Sequence, residues 1–180
     1  MQNFPNNIVL TSLYYSKYYT MCRRLSISFW WPIMDRSGCR RYDKAIRSLV
    51  LGMPRQAAEE VIPQFPEIRH WYIAGHSMGG AMASQFASDH PDQVDGLILM
   101  GAYIYGDYPG EDTLAIYGSL NQSVEAHIDY TENIVEIEGG NHAQFGNYGP
   151  QKGDPPATIS AEAQQKQTVE AVEAFLAQRK

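Results

Sequence analysis

Gly75-His76-Ser77-Met78-Gly79 is a G-x-S-x-G sequence, and a further glycine stands at position 80. A serine in such a setting can act as a nucleophile. The turn must hold it in a strained backbone conformation so that its hydroxyl projects from the protein. Glycines on either side, having no Cβ, let a strand and a helix approach closely at that turn. The flanks fit. WYIA (71–74) reads as a short apolar strand, and Gly79–Asp89 reads as a helix of small and apolar residues. The bland alternative is a glycine-rich strand–helix turn that happens to contain a serine. A phosphate-cradling loop would need G-x-x-x-x-G-K-[ST], which the chain lacks.

A serine hydroxyl needs a base to become a nucleophile. Five histidines are available. His70 precedes the strand and belongs to the wrong end of a sheet. His76 lies within the turn itself, where packing or a local hydrogen bond is expected. His90 precedes Pro91 at a helix end, and His127 lies between strands without an evident role. His142 follows the strand-like IVEIE and the turn Gly139-Gly140-Asn141, which puts it at the productive edge. It is the expected base, in the chain order Ser, acid, His. An acid is wanted after the intervening strand TLAIY (113–117), but Asn121 stands there. Glu125 and Asp129 are nearby carboxylates that could substitute, or could be ordinary solvated acids.

The elements that must position these residues alternate. Strands are expected at Leu25–Trp31, Trp71–Ala74, Leu97–Met100, Thr113–Tyr117 and Ile134–Glu138, with a further apolar run at Leu49–Leu51. Helical spacing covers Tyr42–Ser48, Pro54–Gln64, Gly79–Asp89 and Ala161–Arg179. In the last of these, Ser160 is a fitting cap, Glu162 suits the first turn, and Val169, Val172 and Leu176 share a face. Strands separated by helices imply parallel pairing with right-handed crossovers. A run such as LILM (97–100) fits a sheet covered on both faces. The expectation is an α/β three-layer domain with a mostly parallel sheet of about six strands. Ligands bind such sheets beyond the carboxyl ends of the strands, where Ser77 and His142 fall.

Composition narrows the classes. The chain has 180 residues, 44% apolar and 19% charged, which suits a single globular domain over 1–180. No run reaches the roughly 18 apolar residues of a membrane helix. The apolar stretch at Ile8–Leu13 is too short and interrupted for a leader, so a cytoplasmic location is expected. Cys22 and Cys39 cannot build a disulfide scaffold, and no Cys/His spacing suggests zinc. The net charge of −6 is unevenly spread. Residues 1–50 hold eight Lys/Arg against two Asp/Glu, and residues 51–180 hold six against eighteen. A basic arm over residues 17–47 could bind nucleic acid or membrane. No recognised nucleic-acid motif accompanies it, so neither partner is expected.

Residues 57–180 resemble the α/β-hydrolase superfamily, and most closely its dienelactone-hydrolase-like members (the fold-5 group). The matching stretches are AAEEVIPQFPEIRHWYIAGHSMGGAMASQFASDHPDQVDGLILMGAY, LAIYGS, VEIEGGNHAQFGNYGPQKGD and ATIS before the last helix. The GGNHAQFG block is the more specific signature, and it places the family's catalytic histidine on His142. GHSMGG places the nucleophile on Ser77. The family's triad aspartate falls on Asn121, a departure at a catalytic position. The first fifty residues are divergent: Trp31-Pro32-Ile33-Met34 stands where the family has a glycine-bearing oxyanion turn, so the glycines are missing. The resemblance implies acyl transfer to water on a small ester, lactone or similar carbonyl substrate, without a cofactor or metal. The backbone N–H of Met78, and a second donor near Ile33, would hold the oxyanion. The asparagine implies a slow esterase. A non-catalytic relic or binding module on the same fold is the alternative.

Overall fold

The computed structural model describes residues 7–11 (backbone), 58–59, 62–66, 68–147 and 149–179. Five strands form one parallel sheet: β1 (Asn7–Thr11), β2 (Trp71–His76), β3 (Gly96–Met100), β4 (Thr113–Gly118) and β5 (Ile134–Ile137). They lie side by side in chain order, with Ile73 opposite Leu97 and Ile98 opposite Leu114. Three helices follow strands: α1 (Met78–Asp89), α2 (Gln122–Glu125) and α3 (Ala161–Ala177).

Successive residues of a strand point to opposite faces, and here both faces are dry. Tyr72, Ala74, Ile98, Met100, Leu114 and Ile116 pack with Val172, Phe175 and Leu176 of α3. Trp71, Ile73, Leu97 and Leu99 pack on the other side with Ala83, Phe86 and Ala87 of α1. Two apolar layers around one sheet explain why β2, β3 and β4 are buried along their whole lengths. β5 is wetter, with Glu136 exposed.

The α3 helix begins as its sequence suggests, with Ser160 Oγ accepting the N–H of Ala163 at 3.1 Å. Its polar Gln164 is fully buried, yet both ends of the amide are satisfied. Oε1 accepts from Asn141 N at 3.1 Å, and Nε2 donates to Asn141 O at 2.7 Å. At the far end, Arg179 lies 4.4 Å over the Phe175 ring and donates to the Asp95 carbonyl and the Asp112 carboxylate. The helix is thus fastened at both ends to the loops of the sheet.

The expected parallel α/β architecture is present, with five strands among the described residues where about six were anticipated. The strand expected at Leu25–Trp31, the helix at Tyr42–Ser48 and the run Leu49–Leu51 lie outside the described residues. Of the helix expected over Pro54–Gln64, Ala58 and Glu59 are helical and Ile62–Gln64 is a 3-10 turn. β1 was not anticipated. Its NIVLT segment pairs in parallel with β2 from Asn7↔Trp71 to Thr11↔Gly75.

Phe86 is 1% exposed at the interface of α1 with the sheet. Phe86→Ala should cost about 3–5 kcal/mol of unfolding free energy, measured by urea denaturation. An unchanged midpoint and slope would contradict the packing described.

Candidate active site

Ser77 sits between β2 and α1 with φ 55° and ψ −127°. Among the described residues only Asn133 shares a positive φ without being glycine. Such a conformation costs on the order of 1–3 kcal/mol and persists only where its surroundings enforce it. Three backbone hydrogen bonds do so. Ser77 N donates to Met100 O at 3.0 Å, and Ser77 O accepts from Gly80 N at 2.9 Å and Ala81 N at 3.2 Å. Glycine is required at 75 for a second reason. A Cβ there would fall on the backbone of Gly79, and one on Gly80 would meet the Cβ of Ala102 at 2.5 Å.

The loop after β5 carries His142. Gly139 turns the chain with φ 72°, and Gly140 backs onto Gly118 so closely that a Cβ on Gly118 would overlap its carbonyl. Asn141 is buried and fixes the loop through its side chain. Nδ2 donates to Pro155 O at 2.8 Å, and Oδ1 accepts from Gln144 N at 3.0 Å. His142 then reaches Ser77, with Nε2 2.8 Å from Oγ.

On the far side of the ring, Asn121 meets Nδ1 at 2.8 Å through Nδ2. It is buried, at the N-terminus of α2 beyond β4. Its Oδ1 accepts from Ser123 Oγ at 2.9 Å. An amide nitrogen only donates, so Nδ1 accepts in this arrangement and the imidazole proton resides on Nε2. Turning the amide over would present Oδ1 to an Nδ1–H and Nδ2 to the Ser123 hydroxyl. That hydroxyl can accept as well as donate, so both orientations satisfy their partners.

The structure brings Ser77, His142 and Asn121 into one chain of contacts. Met78 opens α1 beside Ser77 and is 60% exposed. Ile33 lies outside the described residues. Glu125 and Asp129 do not take the acid's place. Both are exposed, and Nδ1 of His142 is met by Asn121 instead. The other histidines are accounted for locally. His70 pairs with Asp95 at 3.0 Å, His90 stacks on Phe86, and His127 stacks on Tyr103 while bonding Ser123 O at 2.8 Å. Among the described residues, no three His, Cys, Asp or Glu side chains are grouped to hold a metal ion.

Three features escaped the sequence. His76 Nε2 donates to the carbonyl of His142 at 3.0 Å, and the two rings lie 4.7 Å apart. Asp154 accepts the backbone N–H groups of His142 at 3.1 Å and of Ala143 at 2.7 Å. Gly101, with φ 55°, lies where a Cβ would stand 2.9 Å from His142 Nδ1. The glycine and the lone acid in these stretches carry no local signature of those roles.

Burial and the neighbouring His142 push the His76 imidazole down from 6.5 to about 4. Burial likewise pushes His142 below its ordinary value, and the Asp154 charge opposes that shift.

A family model described as the alpha/beta hydrolase family matches residues 46–166. The chain belongs to that family. A curated relative, the pyrethroid hydrolase of Sphingobium wenxiniae, is 30% identical over 95 residues, covering 47% of this chain and 34% of the relative. The chain thus spans about a third of that relative's length. The crystal structure of a predicted CIB-like hydrolase from Thermoplasma acidophilum superposes with a TM-score of 0.48 and 17% identity, covering 96% of this chain and 88% of that one. The family's parallel sheet flanked by helices is the architecture described above. No helix of the described residues is long and apolar enough to cross a membrane.

The depressed His76 has a consequence for stability. From pH 6.5 down to about 4, the unfolded chain takes up a proton at this residue and the folded chain does not. Stability is intact above pH 6.5, falls through that interval, and loses about 3 kcal/mol by its lower end. Urea unfolding at pH 7.5 and pH 4 should show a smaller decline in His76→Gln than in the parent. Equal declines would contradict the assignment.

Proposed function

We propose that the chain is a serine hydrolase acting on a small ester, lactone or similar carbonyl compound, in the manner of dienelactone-hydrolase-like enzymes, through an acyl-enzyme on Ser77. The observation that carries this reading is the contact of 2.8 Å between Ser77 Oγ and His142 Nε2 at a serine with φ 55°. A relative named as a pyrethroid hydrolase supports hydrolysis of a small molecule.

The chemistry needs no group beyond the chain and water. Ser77 Oγ forms a bond to the carbonyl carbon as its proton passes to His142 Nε2. The carbonyl oxygen becomes an oxyanion, held by the backbone N–H of Met78 at the start of α1. A second donor near Ile33 belongs to the proposal. The tetrahedral species collapses by breaking the bond to the leaving alkoxide, which takes the proton from His142. Water then repeats both steps on the acyl-enzyme, releasing the acid and restoring Ser77.

For His142 to accept that proton, Nε2 must be bare and Nδ1 must hold the hydrogen. The contact of Asn121 Nδ2 with Nδ1 favours the opposite tautomer. That orientation of the amide corresponds to the second reading, a catalytically silent member of the family, and the reversed one to the first. In the first reading, turnover proceeds through the fraction of molecules with the Asn121 amide reversed and Nδ2 donating to Ser123. An aspartate-to-asparagine exchange in a serine protease triad lowers turnover on the order of 10⁴-fold through the wrong tautomer. The same sign makes this a slow enzyme.

The test is covalent labelling by a fluorophosphonate of the intact chain and of Ser77→Ala, both with unchanged circular dichroism. Labelling lost in the variant is expected. A well-folded parent that does not react would favour the silent reading. Asn121→Asp should raise the labelling rate by at least about tenfold, since a carboxylate accepts from Nδ1–H in either orientation. A folded variant no faster than the parent would remove position 121 from the mechanism.

A further inference from the structure

We infer that Asp154 is a positioning residue for the His142 base, holding its backbone and supplying the fixed negative charge that Asn121 does not. The inference rests on the proposed roles of Ser77 and His142.

The geometry is a two-pronged grip. Oδ1 of Asp154 accepts the N–H of His142 at 3.1 Å, and Oδ2 accepts the N–H of Ala143 at 2.7 Å. Both oxygens of one carboxylate are therefore engaged by consecutive amides, at the entry to the 3-10 turn Ala143–Phe145. Charge-assisted bonds of this kind are stronger than neutral ones. On the other side of the same residue, the His142 carbonyl is held by His76 Nε2 at 3.0 Å. His142 is thus fixed through its amide and its carbonyl. Its ring has a polar contact at each nitrogen, with Ser77 at Nε2 and Asn121 at Nδ1.

Charge makes the arrangement more than a brace. When Ser77 gives up its proton, His142 becomes an imidazolium in a partly buried site. Ser77 and Asn121 face it as neutral groups. His76, on β2 beside it, is neutral above about pH 4 and would repel a second cation if protonated. Asp154, from the segment before α3, brings its carboxylate to the backbone side of the same residue. Burial opposes the charged imidazole, and the Asp154 carboxylate acts against that penalty. A nearby opposite charge favours the charged form, and buried pairs are screened little by salt. Where a triad carboxylate would touch Nδ1, this chain has an anion behind the peptide.

The pH titration of the His142 ring, followed by NMR, tests this in the parent and in Asp154→Asn. The variant keeps an acceptor oxygen for one amide and loses the charge. The His142 midpoint should fall by about half to one pH unit in the variant. The acid limb of the pH profile for Ser77 labelling should move down with it, and the plateau rate should drop several-fold. An unchanged midpoint in a folded variant would overturn the inference. If Asp154→Asn does not fold, the unaltered chain decides the matter. The amide protons of His142 and Ala143 should shift together in a single acid titration, and an absence of any joint shift would overturn the grip. Should neither protein react with the fluorophosphonate while the midpoint still moves, the hydrolase reading fails and the coupling of Asp154 to His142 stands.

Discussion

The backbone of Ser77 can take its left-handed turn only because β2 and α1 touch where neither has a side chain. Gly75 and Gly79 occupy that contact, and any Cβ on Gly75 would lie inside the Gly79 backbone. The hydrogen bond from Ser77 N to Met100 O ties the turn to the next strand. From this follows the placement of the hydroxyl at the carboxyl edge of the sheet. The same closeness recurs at Gly118 and Gly140, where the end of β4 meets the loop after β5. Two glycine-only contacts thus set the spacing of the ends that carry Ser77, Asn121 and His142. Side-chain chemistry at the site is downstream of backbone approach.

The loop bearing His142 is held differently. It has little apolar burial of its own apart from Ala143 and Phe145, and it is secured by polar groups that are nearly all paired with backbone. Gln164 bonds both the N–H and the C=O of Asn141, the Asn141 side chain reaches Pro155, and Asp154 and His76 take the amide and carbonyl of His142. Buried polar networks of this kind rigidify when every member is satisfied. Replacing one member leaves its partner unsatisfied, at a cost larger than the bond was worth. His142 is consequently held at its backbone by Asp154 and His76, apart from the contacts that Ser77 and Asn121 make to its ring.

What could be read in the sequence divides along the same line. The turn at Ser77 was legible because a strained serine needs glycines at fixed offsets and a strand and helix on either side, all of which leave marks in residue type. β3 and β4 were legible as continuous apolar runs because both of their faces are covered. Position 121 was legible as an anomaly, and the structure puts Asn121 against His142 while leaving Glu125 and Asp129 in solvent. Asp154 and the His76 contact were not legible, since their partners are peptide groups, which every residue has. β1 was missed because five residues of NIVLT show no flanking pattern and acquire meaning only by pairing with β2, far along the chain.

That distance has its own consequence. Neighbouring strands β2 to β5 pair residues 16 to 24 positions apart, such as Tyr72 with Gly96 and Leu97 with Thr113. Asn7 pairs with Trp71, 64 positions away. Closing the longer loop costs about 1 kcal/mol more in chain entropy than closing a 24-residue one. Pairings between distant segments are also the slow steps of folding. Ser77 and Asn121 fall within the span of the short closures, and His142 follows five residues after β5. The order of assembly that this favours brings Ser77 and His142 together before β1 is docked. β1 then joins a sheet whose carboxyl edge already has its shape.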